Sequence, residues 1–152
     1  MKTFLIINIL LLLLSACSYD NAFSRFDISA QRAKSEESII SSKIYDKTDT
    51  IGVVSCVYLN AINPQKYKDG EYFYIYLYAK DTKAQVSFTL NGVDAILVEE
   101  LEVDNKFILL TDSNVTWQKY YFVKFAQQAT DLTLVAKIAH FSSDAILFKK
   151  DD

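Results

Sequence analysis

Tyr72, Tyr74, Tyr76 and Tyr78 alternate with Phe73, Ile75, Leu77 and Ala79. Successive side chains of a strand point to opposite faces, so this run carries four phenols on one face and an aliphatic and aromatic set on the other. The second face must be core. The first is a candidate ligand face, because each tyrosine offers a flat apolar ring with a polar tip that can stack on a sugar ring or a peptide. Covered by a helix or by neighbouring side chains, the same row would be a half-buried layer with no ligand.

Other reactive groups are sparse. Cys56 and His140 are the one pairing that resembles a nucleophile and base, but neither has a local motif, and Cys56 lies in an apolar run where a thiol is usually inert. A single histidine removes most zinc sites and most Ser-His schemes. Glu99, Glu100, Glu102 and Asp104 form an acidic stretch, and Asp112 and Asp144 fall in loops, yet no loop has the regular spacing of a calcium site. A solvated edge strand, charged against pairing with other chains, accounts for the glutamates more simply. An enzyme would need carboxylates that converge, for example Glu99 or Glu102 with Asp144. Gly52, Gly70 and Gly92 are isolated, so there is no phosphate-cradling loop. We therefore expect no catalytic residues, no metal and no cofactor. Asp112-Ser113-Asn114-Val115-Thr116 resembles the extended bacterial acceptor for glycosylation at Asn114, in an expected exposed turn.

The chain has 152 residues, 51% apolar and 14% aromatic, which suits one domain with a sizeable core and favours β-structure over disorder. A net charge of −3 without a basic patch argues against nucleic acid and anionic headgroups as electrostatic partners.

Lys2 followed by Phe4 to Leu14, apolar except Asn8, has the form of an export signal. At ~1.5 Å per residue so short a helix cannot cross a ~30 Å hydrocarbon core. The run ends in Leu14-Ser15-Ala16-Cys17, which resembles the lipobox of bacterial lipoproteins in every position. Ordinary secretory cleavage also fits the small residues, with Cys17 then an incidental neighbour. The resemblance implies that residues 1–16 are removed, that Cys17 receives a diacylglyceryl group, and that its new amine is acylated, for instance with palmitate. Several acyl chains make attachment to a bilayer effectively stable. Ser18, where inner-membrane retention would want Asp, implies the outer membrane facing the periplasm. With Cys17 lipidated, Cys56 is a lone thiol and no disulfide forms within the chain. The whole chain also resembles small bacterial lipoproteins that place one helix before a β-sandwich, a likeness with no specific motif and no implied activity.

These groups must be positioned by a mainly β domain. Residues 17–50 are read as a lipidated N-terminus, a tether and a short helix capped by Ser29, with Phe26, Ala30, Ala33 and Ile40 on one face. Residues 51–152 are read as an antiparallel β-sandwich of seven or eight strands. Expected strands are 51–59, 71–80, 86–90, 93–98, 106–111, 117–127, 132–139 and 145–149. Asn91-Gly92 marks a hairpin whose two-residue turn would pair Leu90 with Val93, Phe88 with Ala95 and Val86 with Leu97. The expected role is a non-catalytic envelope lipoprotein that contacts another envelope protein or is structural; the alternative is a binding module for sugar, peptide or lipid-like ligand at the tyrosine face or at the loops 60–70 and 111–116.

Overall fold

The computed structural model describes residues 30–150 except Gln31 and Asp112. The leader, Cys17 and the Ser29 cap lie outside the described residues. Gln31–Asp152 forms one compact unit. Its first element is a helix over 32–38 (α1), in the expected place. Its expected apolar face is not the one that docks. Ala30 and Ala33 are exposed, and the turn instead buries Ser35, whose hydroxyl donates to the Leu110 carbonyl at 2.6 Å.

Two antiparallel sheets follow. The larger has the order β1 (Ile40–Asp46), β2 (Asp49–Tyr58), β3 (Glu71–Ala79), β7 (Lys119–Phe125), β6 (Leu97–Leu101). The smaller has the order β10 (Ile146–Phe148), β8 (Leu132–Ile138), β4 (Val86–Leu90), β5 (Val93–Asp94), with β9 (Phe141–Ser142) also on β8. Alternate residues of the two sheets meet in one core, with Phe73, Ile75 and Val123 on one side and Phe88, Leu134 and Ile138 on the other. The architecture is the expected antiparallel sandwich. Strand β8 shows the cause most simply, since its buried and half-buried residues alternate along the whole strand.

Three expectations need correction. The β-structure begins at Ile40, not Ile51: β1 pairs along β2 from Ile40↔Cys56 to Asp46↔Asp49, and its short polar side chains had hidden it. Residues 106–111 are not a strand. Asn105 accepts the Phe107 N–H at 2.9 Å and donates to the Glu102 carbonyl at 2.8 Å, a local turn that leads into a single helical turn, Ile108–Thr111. The Asn91-Gly92 hairpin forms with positive φ at both residues, 51° and 80°, and Leu90 pairs with Val93. The pairing continues to Phe88, whose carbonyl accepts the Ala95 N–H at 3.3 Å, and the predicted Val86–Leu97 pair fails because the chain then crosses between sheets. Leu97 pairs with Lys124 in the larger sheet, and Val86 pairs with Ile138 in the smaller.

The outer face of the larger sheet is also covered. A short helical turn, Leu59–Ile62, the loop after it and the 102–118 excursion form a second core with Val57, Tyr72, Tyr74 and Tyr120. Burial on both faces explains why β3 carries large apolar or aromatic side chains at nearly every position.

Candidate functional site

The tyrosine row lies under this second layer for most of its length. Tyr74 is completely buried, its ring stacked on Phe107 with centroids 5.1 Å apart and on Tyr120 at 6.3 Å. Its hydroxyl lies near Asn105 and Thr111 but meets no partner in hydrogen-bond geometry, and burial pushes its pKa up to about 12. Tyr72 is buried against Tyr67 and Phe122; its hydroxyl donates to Asp69, and Lys124 sits 5.0 Å over its ring and 2.9 Å from Asp69. Tyr76 is half-buried. Tyr78 is the most exposed of the four, at 36%, edge-on to the exposed Trp117 at 5.6 Å. The four phenols therefore present no continuous open platform.

A different place in the fold has the concavity a ligand needs. Where β2 ends and β3 begins, the 60–70 loop, α1 and the C-terminal strand leave a cleft of about 480 Å³. Asn60 shapes its wall. Its amide donates to the carbonyls of Tyr67 at 2.8 Å and Gly70 at 2.7 Å, while its oxygen accepts the Tyr72 N–H at 2.8 Å. One side chain thereby closes the loop back onto the strand.

Glu71, the first residue of β3, is 1% exposed at the floor. Its carboxylate accepts from the Tyr58 hydroxyl at 2.5 Å, the Gln128 N–H at 2.8 Å and the Lys150 ammonium at 2.7 Å. Burial alone would raise its pKa, but those three donors outweigh it and hold the carboxyl below the usual range. Burial, and then the neighbouring carboxylate, pushes the Tyr58 phenol well above its ordinary value. Lys34, Lys68 and Lys149 also line the cleft, and none has an ion-pair partner among the described residues. The cleft is thus cationic at its rim, with its carboxylate already paired. The chain ends Lys149-Lys150-Asp151-Asp152, the last two lying outside the described residues.

Sequence reasoning named the 60–70 loop as a candidate ligand site but took Glu71 for a strand start only, and so missed the floor and the lysine rim of the cleft. The available signals were a carboxylate heading an otherwise apolar strand and the paired lysines near the C-terminus. The other singled-out residues lie apart. Cys56 is in the core with its thiol pKa raised by burial, whereas His140 is exposed between β8 and β9. Glu99 lies on the β6 edge of the larger sheet, and Asp144 lies beside β1 at the opposite edge, where its carbonyl accepts from Ser42 at 3.3 Å. Among the described residues, no three metal-ligating side chains converge. Asn114 is exposed in the loop before β7.

Compared with protein-family models, curated protein sequences and solved structures, the chain matches none of them. The fold defines the class, a two-sheet antiparallel sandwich with a lysine-rimmed cleft.

Proposed function

We propose that the chain is a bacterial envelope lipoprotein, held to the bilayer through acylated Cys17, whose β-sandwich is a recognition module and not an enzyme. The lipobox supports the anchor. The observation that carries the recognition role is the cleft between the 60–70 loop and the C-terminal strand, where Lys34, Lys68 and Lys149 face a chain of net charge −3. Concave sites with a few convergent polar groups are where small ligands bind. Ammonium groups with no ion-pair partner among the described residues select a carboxylate or phosphate on that ligand. The low overall charge does not oppose this, because at physiological salt fields are screened over about 8 Å and the local lysines dominate.

Titration with sodium citrate and sodium phosphate, followed by heteronuclear NMR at constant ionic strength, tests the cleft. We expect saturable shifts at Asn60, Gly70, Glu71 and Gln127, abolished by Lys68→Glu with Lys149→Glu. Shifts scattered over all surface lysines, or none, would refute the assignment. A second reading places a sugar ring against Tyr78 and Trp117, the exposed end of the tyrosine row, beside Ser55 and Gln118. Quenching of Trp117 fluorescence by an oligosaccharide, lost in Tyr78→Ala, would support it.

A further inference from the structure

The sandwich is closed at one side and open at the other. At the closed side, β1 bridges to the smaller sheet through Ile44 and Ser143. At the other, among the described residues, β6 is bonded only to β7 and β5 only to β4, so each sheet ends there in a strand with one backbone edge unpaired by any described residue.

The side chains there occupy core positions without a core around them. Val98 pairs with Val123, which is 0% exposed, and Val93 pairs with Leu90, also 0% exposed. Directly paired residues project from the same face of a sheet, so both valines face the interior between the sheets. Yet Val98 is 42% exposed and Val93 54%. The cause is the length of β5: at two residues it ends the smaller sheet before it can cover β6. Ile96, on the crossing between the sheets, is 66% exposed and extends the uncovered apolar surface.

The charges beside this edge specify what can cover it. Glu99 and Glu100 are exposed on β6, with Glu102 and Asp104 just beyond; Lys119 approaches Glu100 at 3.4 Å. A second copy adding its β6 about a two-fold axis at Glu99 would set Glu99 against Glu99, and like charges directly opposite are destabilising. The same carboxylates attract an extended segment that alternates apolar residues with lysine or arginine. Edge carboxylates that repel an acidic strand thus select a basic one.

We propose that the β6 edge receives a basic, extended segment of a partner protein as an added strand, its apolar side chains completing the core over Val93 and Val98 and a cation on its other face meeting Glu99, which pairs with Phe122 on the outer side of the sheet. Backbone pairing supplies affinity in such strand addition, and alternate side chains supply specificity. The inference requires neither the cleft nor the lipid anchor.

The test uses the full chain as cells process it, in detergent, with a fluorescent eight-residue peptide of alternating valine and lysine. A valine–glutamate peptide is the control. We expect saturable anisotropy with the basic peptide only, slower hydrogen exchange across 96–101, and at least a tenfold loss of affinity in Glu99→Lys. Val98→Lys, at a site exposed enough to keep the fold, should lose binding equally. Binding of both peptides alike, protection outside 96–101, absence of binding, or a dimer abolished by Val98→Lys would each overturn the proposal.

Discussion

The Tyr58 hydroxyl donates to the Glu71 carboxylate across 2.5 Å, and through that carboxylate the end of β2 is joined to the Gln128 backbone and to Lys150. One buried acid therefore fastens three segments distant in sequence. Lys150 in turn donates to the Gln128 carbonyl at 2.5 Å, so the end of the chain is held on both sides of the 128 position. A carboxylate this buried persists only while its donors remain.

Glu71→Gln should cost about 1–3 kcal/mol, the range for a buried group left with impaired hydrogen bonds, reduced because the Lys150 side chain is 29% exposed and can turn to water. The folded-state pKa of Glu71 is depressed, so its contribution is complete above the unfolded value of about 4.3 and is lost as pH falls through the lower folded value. Urea unfolding from neutral to acid pH should show wild-type stability declining below about pH 4.3, with a shallower decline in Glu71→Gln. Identical slopes would show that another carboxylate carries the acid sensitivity.

The second core makes a prediction that separates structure from ligand binding. Tyr74 is buried among Phe107 and Tyr120 with its hydroxyl unpartnered, so Tyr74→Phe removes a buried polar atom without opening a cavity. Stability should stay level or rise by up to about 1 kcal/mol. Phe107→Ala should cost about 3–5 kcal/mol, since it removes the ring that roofs Tyr74 and Phe122. Thermal unfolding of both variants decides the matter. A severe loss in Tyr74→Phe would mean that the hydroxyl has an essential partner, and a mild loss in Phe107→Ala would mean that the 102–118 excursion is not a true layer.

Much of the sandwich was legible because period-2 patterning survives wherever one face meets the core. Strands β2, β3, β4, β7, β8 and β10 fall within or nearly within their expected ranges, and the Asn91-Gly92 turn adopts the geometry its residues favour. Illegibility had physical causes. Strand β1 is an edge whose inward face sets Ser42 between Ile40 and Ile44 while Ser41 and Lys43 are exposed, so its apolar stripe is interrupted. Phe107 and Leu110 are apolar because they cap the outer sheet face, and a covering loop cannot be told from a strand by hydrophobicity. The tyrosine alternation correctly located a sheet face, but what covers it, Leu59, Ile62 and Tyr67 from upstream and Phe107 from downstream, comes together only in the fold. Glu71 drew no attention because its partners, Tyr58, Gln128 and Lys150, assemble only through the fold.

The two cysteines give one measurement that bears on both the anchor and the core. Cys56 is completely buried in the sandwich, and its thiol pKa is raised by that burial, so almost no thiolate is present at neutral pH and a water-soluble reagent cannot reach it. Cys17 has no free thiol if the lipobox is processed, because its sulfur is then a thioether. Chain extracted from membranes should therefore show no reactive thiol when native and one when unfolded in denaturant. Two thiols in the unfolded chain would rule out lipidation at Cys17 while leaving the fold untouched. Fast labelling of the native chain at Cys56 would instead challenge the packing of β2 within the core. Placing Cys17→Ser beside the wild type completes the argument, since its expected signature is release from the membrane fraction with Cys56 still unreactive until the sandwich unfolds.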